Sequence, residues 1–568
     1  MKSLISRLVY ALCLTLFLSQ TATAQTPENR PRRVAPVAFS APQGAPSLTA
    51  TPTTLESRIP RAGLRFYFEA RHGGLNELAK APGVAKVFTK LLPAKGIAAG
   101  DLTGFLVNNL GALSRSRLVM VSYGADQEAV LIEAASPGDA SQLEAGIAKL
   151  RGAEMAVSTQ GQVVMAGAST VVSRLTQNEG GSLAEDQEFL KAQARFAADP
   201  LFGFMEMSAM MLPWQGMDAP AGSPSSAAML GLLGGMPSAI ALGGSIEGEI
   251  TRVRALMLHG KPQQGGLFAS LLAAAREGEA KGASFATPDT SMFFNVMIDW
   301  DKLYEAITGI FAGFAGASVA PQSGAQAEEM LAKFDTFPGF SIRNDLLPTL
   351  GNEIAITMSG FERFMGRGAA SSRAAVPPKA ASPKFALMVE LRDPLKFEEL
   401  FGQLVRKMSG PNGREFAQAT HRGARIRYGK GLAYAISGDF LLVGGSVSEI
   451  QRALDAHATG ESLAASADFR AALGAPRPVM AQAYFSAAVT GRLFEGSSAT
   501  ARGRAPVGIV VTSDADGSLM EMQLPTSLSL TALAALAEHK PSAYGIQPSA
   551  STSTVTRTGG RRTPKMMN

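Results

Sequence analysis

A duplication constrains this chain more than any single motif, because one succession of strands and helices has to be satisfied twice. The first stretch covers residues 58–281 and the second 282–540. Each opens on an apolar strand, Leu64 to Phe68 and Ser291 to Val296. Each then carries an Asp-Leu pair with a nearby Leu-Gly, Asp101-Leu102 with Leu110-Gly111 and Asp345-Leu346 with Leu350-Gly351. A strand, a proline and an amphipathic helix follow: Ala129 to Glu133 with Pro137, and Phe385 to Glu390 with Pro394. Proline suits a first helical turn, where its missing N–H costs nothing.

The closest correspondence joins Gly161 to Gly167 with Gly438 to Gly444, each followed by a candidate N-cap, Ser169 or Ser446. Ser182-Leu183 and Phe189 then match Ser462-Leu463 and Phe469, and the strand Phe202 to Met207 matches Met480 to Phe485. Each stretch ends on a hairpin with an acidic-Gly turn, Glu247-Gly248 and Asp516-Gly517, and a closing helix, near 267–281 and 528–539. The expected fold is α+β. It has two homologous halves, each a mostly antiparallel sheet with helices packed on one face, and the sheets lie side by side or as a clam-like pair.

The flanks carry a different message. Lys2 and Arg7 precede an uncharged apolar run, Leu8 to Leu18, and Ala22-Thr23-Ala24 follows. That is the pattern of a signal peptide over residues 1–24, with retention as an anchor as the alternative. The expectation is an exported protein, periplasmic or secreted, with no transmembrane helix once the peptide is removed. Ala219 to Ile246 is uncharged but broken by glycines and prolines, which reads as loop, short helix and strand. The single cysteine, Cys13, leaves with the peptide, so no disulfide or thiolate site is expected. A Pro/Ala-rich leader over 25–57, an insert at 363–383 and a basic tail over 541–568 lack an apolar face and are expected to be disordered.

The second stretch carries Asp289-Thr290-Ser291-Met292-Phe293, Asp345-Leu346-Leu347-Pro348-Thr349-Leu350-Gly351, Gly438-Asp439-Phe440-Leu441-Leu442-Val443-Gly444 and Ser462-Leu463-Ala464-Ala465-Ser466-Ala467-Asp468-Phe469-Arg470. In these it resembles a bacterial family of exported, internally duplicated proteins known only as a domain of unknown function. The resemblance implies a fold and an export route, and brings no activity and no functional residues.

Chemistry is sparse. The five histidines, His72, His259, His421, His457 and His539, show no metal-ligand spacing. Phosphate-loop and nucleophile-elbow motifs are missing from the sequence. Net charge is +6 without a basic run interleaved with aromatics, so no nucleic-acid partner is expected. Glu69-Arg71-His72 reads as a solvated turn, and its counterpart Asp299-Trp300-Asp301 as a helix start where acids complement the dipole. Met205, Met207, Met210, Met211 and Trp214 read as core or loop packing, the alternative being a hydrophobic partner-binding loop between Met210 and Met229. No catalytic, cofactor-binding or metal-binding residue is proposed, and no cofactor. The expected function is a non-enzymatic envelope protein that binds an unknown protein or envelope partner or supports an assembly. The alternatives are a binding protein with a small or lipidic ligand between the halves, and a hydrolase with an unrecognised site. Terminal sequencing of the exported protein is expected to begin at Gln25; a cytoplasmic chain beginning at Met1 would contradict export.

Overall fold

Strands whose side chains alternate between two faces need cover on whichever face is apolar. That requirement organises the computed structural model, which describes residues 54–525 apart from 72–104, 106–107, 110, 125–126, 151–154, 178–180, 208–236, 248–249, 259–272, 319–334, 337–338, 362–383, 410–415, 430 and 496–504. The first eight strands are β1 Phe66–Ala70, β2 Arg117–Gly124, β3 Gln127–Glu133, β4 Met155–Gln160, β5 Val163–Ala168, β6 Leu201–Glu206, β7 Ala239–Glu247 and β8 Ile250–Leu258. Then come β9 Thr290–Met297, β10 Leu350–Ser359, β11 Lys384–Leu391, β12 Ala417–His421, β13 Ala424–Gly429, β14 Leu432–Ser437, β15 Phe440–Gly444, β16 Ala481–Phe485, β17 Val507–Asp514 and β18 Gly517–Pro525. The helices are α1 Pro137–Leu150, α2 Ser169–Gln177, α3 Gln187–Arg195, α4 Trp300–Ser318, α5 Pro394–Ser409, α6 Val447–Thr459, α7 Ala467–Leu473 and α8 Ala487–Glu495.

All eighteen strands join one antiparallel sheet. The pairings run β4-β5-β3-β2-β1-β6-β7-β8 and continue through β18-β17-β16-β9-β10-β11-β15-β14-β13-β12. Where two separate sheets were expected, one continuous sheet is found. Its centre is the β8–β18 ladder, which pairs Ile250 with Pro525 at one end and Leu258 with Gly517 at the other. Read outward from that ladder in both directions, the strands appear in the same succession of chain order, once the extra hairpin β12–β13 is set aside.

Helices cover both faces, which corrects the expected one-face arrangement. Phe440 and Leu442 of β15 pack with Phe293, Met388, Ile450 and Leu454 under α6. Their neighbours Leu441 and Val443 pack on the opposite side with Phe397 and Phe401 of α5. The first half does the same. Tyr67, Val119 and Leu131 pack against Val172 of α2 and Phe189 of α3, while Leu118, Ile132 and Val164 on the other side are equally buried. The α1 helix, with Leu143 and Ile147 fully buried, lies against β4 and β5. The physical reason is local. The outer strands β5 and β15 are apolar on both faces, so each face demands a helix.

Local signals hold at most helix starts. Pro137 and Pro394 are the first residues of α1 and α5. Ser446 caps α6, its hydroxyl accepting from Glu449 N, and Asp186 caps α3 through Glu188 N and Phe189 N. Ser169 is the first residue of α2 instead of the cap before it. The leader ends earlier than expected, because Leu55–Arg58 forms a 3-10 turn with Leu55 and Glu56 buried. Of the closing helix expected at 267–281, residues 267–272 lie outside the described residues, 273–274 are helical, and the chain is no longer helical from Ala275 onward. Ala275 and Gly278 make bridges to Ile298 and Val479. The insert 363–383 lies outside the described residues, between β10 and β11, which pair with each other. The segments 1–24, 528–539 and 541–568 also lie outside them.

Candidate functional site

A carboxylate taken out of water costs several kcal/mol unless it is paired and hydrogen-bonded. Two places in the sheet meet that condition, and both lie on the face covered by α2, α3, α6 and α7. Glu56, only 3 % exposed, sits on the turn that precedes β1. Arg117 of β2 donates from Nη2 to Glu56 Oε1. Gln193 of α3 reaches the same oxygen at 2.8 Å and the Tyr67 hydroxyl donates to it at 3.2 Å. Arg117 Nε donates to Glu69 Oε1 at 2.7 Å. Arg71 Nε donates to that oxygen at 3.2 Å, and its Nη1 donates to the carbonyls of Phe196 and Asp199. Tyr67 and Glu69 are two residues apart on one strand and therefore share a face.

Burial pushes the Glu56 carboxyl up, but the Arg117 charge and hydrogen bonds outweigh it and hold the carboxyl below its ordinary value. Burial, reinforced by the charges of Glu56 and Glu69, pushes the Tyr67 hydroxyl well above its ordinary range, so it remains a neutral donor. The Arg117 guanidinium resists the effect of its own burial because Tyr67, Glu56 and Glu69 surround it. A general base needs a lone pair aimed at a substrate. These carboxylates aim theirs at Arg117, Arg71, Gln193 and Tyr67, which makes the cluster a strap that fastens the leader's last turn to the sheet. Glu69, expected in a solvated turn, is instead 2 % exposed and central to this strap. His72 lies outside the described residues.

The second half fills the same place with opposite polarity. Arg71 N donates to the Pro200 carbonyl just before β6, and Met297 N to the Met480 carbonyl just before β16. Counting back and across the ladders puts Phe293, Asn295 and Glu353 where Tyr67, Glu69 and Arg117 stand. Glu353 is fully buried. It accepts from Lys281 N and Gly282 N, both at 2.7 Å, and from Asn295 Nδ2. Gly282 is required here, since a Cβ would lie 2.8 Å from Glu353 Oε1 and 2.7 Å from the Ala355 Cβ. Burial, helped by the charge of Glu390, lifts the Glu353 carboxyl above its ordinary value despite the backbone donors. Sequence reading missed both straps because neither partner set is contiguous.

The other polar features are small. Arg61, Arg65, Asp186, Glu188 and Glu206 surround a cleft of about 20 Å³, room for one water. His457 Nδ1 lies 3.1 Å from Ser284 Oγ with its ring stacked on Phe285 at 4.0 Å. His421 and Arg422 share Asp455 Oδ1 at 2.9 and 2.8 Å. Asp299 accepts from Lys302 N at the start of α4, as a helix-start acid does. Among the described residues no group of three or more His, Cys, Asp or Glu is placed to hold a metal, and no helix is long and apolar enough to cross a membrane.

The unusual surface is the face of the sheet opposite the straps. One cross-strand row runs Leu387, Ile356, Phe294, Ala483, Ile509, Met522 and continues to Val253, each residue directly opposite the next. All are half-exposed or exposed. Their sheet-mates on the strapped face, Met388, Ala355, Phe293, Tyr484 and Val510, are no more than 4 % exposed. Around the row, Val296, Ile356 and Phe385 keep 36, 39 and 46 % of their surface exposed. At the β8–β18 ladder the contrast is sharpest. Arg254 and Glu521 turn towards the helices and pair with Asp199 and Arg477, while Met257, Met520 and Met522 face the open side. Met205, expected in core or loop packing, is also half-exposed on this side; Met210, Met211 and Trp214 lie outside the described residues.

The described residues form an α+β protein with two buried polar straps and an apolar sheet face opposite them. The chain belongs to the family of proteins of unknown function DUF3352, which matches residues 266–549. A comparison with curated proteins gives no match. Among solved structures the chain is similar to crystal forms IV and III of TP0453, at 7 and 8 % identity, covering 46 and 45 % of this chain and 98 % of those chains with a TM-score of 0.23. Crystal form I matches at 8 % identity over 46 % of this chain and 98 % of that one, with a TM-score of 0.20. Likeness at this level carries no argument about function.

Arg117→Met tests the strap, because it leaves Glu56 buried without its cation and Glu69 with Arg71 alone. The expected loss at neutral pH is about 3–5 kcal/mol. In the parent, the lowered Glu56 carboxyl contributes stability above its ordinary value of 4.5, and that stability is lost as pH falls through its lowered folded value. In the variant the unpaired Glu56 carboxyl favours protonation, so stability should rise on acidification. Urea midpoints at pH 7 and pH 4 read both slopes, and equal slopes in the two proteins would refute the strap.

Proposed function

We propose that the chain is an exported, non-enzymatic binding protein made of two copies of one unit, and that it binds through the open apolar face of the sheet. The observation that carries this reading is the unbroken apolar row from Leu387 to Val253, half-exposed while the opposite face is closed. Soluble proteins rarely leave a large contiguous apolar patch open unless it serves an interaction. Methionine suits such a surface, since its flexible thioether repacks around different occupants.

Several observations support the two-copy part. The strand succession is the same on both sides of β8–β18, and each half carries a turn strapped to its first two strands. The register adds a sharper one. Counting from Pro200 and Met480 through β6–β7–β8 and β16–β17–β18, Arg254 and Glu521 hold the same place in their halves. They also sit directly opposite each other in the ladder. A strand that pairs antiparallel with its own counterpart about one shared residue is what a two-fold interface produces. The export part rests on the N-terminal pattern of residues 1–24.

An apolar fluorescent probe tests the binding surface. The native chain is expected to enhance its emission, and Ile356→Glu/Met522→Glu is expected to remove the enhancement with Tm unchanged. A native chain that leaves the probe dark would defeat the reading.

A further inference from the structure

We propose that Glu353 works as a proton-operated latch on the segment that leads into β9. With a proton on its carboxyl the turn Gly282–Ser284 is held shut, and with a charge there the turn opens more readily. The latch works on the strapped face and is independent of whatever lies against the open one. Three features of the strap carry it.

The first is a missing cation. Glu56 has the Arg117 guanidinium. The Glu353 oxygens accept from the Lys281 and Gly282 amides and from Asn295 Nδ2, and no cationic side chain among the described residues bonds to them. The Lys281 ammonium is turned to Glu390 instead, at 3.0 Å. Glu353 is fully buried, so a charge on it is kept from water by neutral donors alone.

The second is the set of charges around it. On β11 Glu390 is a like charge, which favours the neutral form of Glu353. Lys281 acts the other way, but Glu390 and Asp439 share its charge. Strand β9 presents the uncharged Asn295 and Met297. The turn Leu463–Ala465, packed on Gly282–Ser284, carries no titratable side chain. On the incoming segment Arg276, Glu277 and Glu279 are exposed. Burial and Glu390 outweigh the two amides and Lys281, and the carboxyl is lifted above its ordinary value.

The third is a waiting acceptor. Asn295 is 3 % exposed, and its Oδ1 is buried with no hydrogen-bond partner among the described residues. Its Nδ2 donates to Glu353 Oε1. Turned over, the same amide offers Oδ1 to that oxygen, and a protonated carboxyl then has somewhere to donate its hydrogen. A neutral carboxyl keeps acceptor capacity for the Lys281 and Gly282 amides. One asparagine therefore serves both states of Glu353.

Shut, the latch holds the carboxyl above its ordinary 4.5; opened to water, the carboxyl returns towards that value. The shut state binds more protons, so its stability is fully present below 4.5 and is lost as pH rises through the raised value. Acid tightens this strap, whereas it loosens the Glu56 strap.

Amide hydrogen exchange in the chain from Gln25 onward reads the latch at Lys281 and Gly282. Corrected for the intrinsic pH dependence of exchange, their protection should rise as pH falls from neutral towards 4.5. The rise should reach up to about tenfold per pH unit where Glu353 takes up its proton. Glu353→Gln, neutral at every pH, should remove the rise. Glu390→Gln, which removes the like charge and frees Lys281, should move it to lower pH. Protection that stays level or falls on acidification overturns the latch. A rise that survives in Glu353→Gln belongs to another group and overturns it too. If Glu353→Gln does not fold, Glu390→Gln decides, and a rise that stays at the parent's pH overturns the latch.

Discussion

The antiparallel ladder between β8 and β18 is the contact on which the rest of the structure depends. Without it the chain is two sheets, each with an unpaired edge strand open to aggregation. With it the sheet becomes continuous, and the register decides which side of each middle strand faces the helices. A slip of one residue would reverse every side chain of β18 relative to β8. With β8 held by β7, Glu521 would come out onto the apolar side, and Met520 and Met522 would turn towards the helices. Two ion pairs across the junction favour the observed register, Arg195 with Asp514 and Lys191 with Asp516, both at 3.1 Å. The Lys191 pair is largely exposed and contributes little, while the Arg195 pair is better shielded.

From that register the two faces acquire separate roles. The strapped face is closed by α2, α3, α6 and α7 and carries the buried ions. Its packing is dense with aromatic contacts, such as Phe189 against Tyr67 at 5.0 Å and Phe469 against Phe293 at 5.6 Å. The straps in the two halves solve one problem with opposite charges. Arg117 gathers two carboxylates in the first, and Glu353 gathers two backbone amides and Asn295 in the second. In each case a 3-10 turn is pinned over neighbouring strands by a polar bridge. The row from Leu387 to Val253 on the open face carries no such bridge.

Much of the architecture was legible in the sequence for a definite reason. Strand alternation, proline at the starts of α1 and α5, and the Ser446 cap are local signals, and the structure follows them. The matched segments around Gly161 and Gly438 are hairpins in both halves. What failed was non-local. That helices would flank both sides depends on which strands end up central, and a single strand does not reveal that. Glu69 looked solvated because the partner that buries it, Arg117, lies on another strand. The segment expected to close the first half as a helix near 267–281 is not helical from Ala275 onward, where tertiary bridges at Ala275 and Gly278 hold it. The apolar row is invisible along the chain, since each strand contributes only one residue to it.

The junction register is tested most directly by a cross-strand disulfide. Val253 and Met522 face each other in the ladder, and opposed antiparallel residues have Cα atoms about 4.5–5.5 Å apart, within the range a disulfide bridges. The chain from Gln25 onward contains no other thiol. Val253→Cys/Met522→Cys in that chain should oxidise to an intramolecular bond in the monomer, seen as a faster band on non-reducing gels. Each single variant, and Val253→Cys with Gln523→Cys, should not. Free thiols in the matched pair, or a bond only between two chains, would contradict the single continuous sheet and the account built on it.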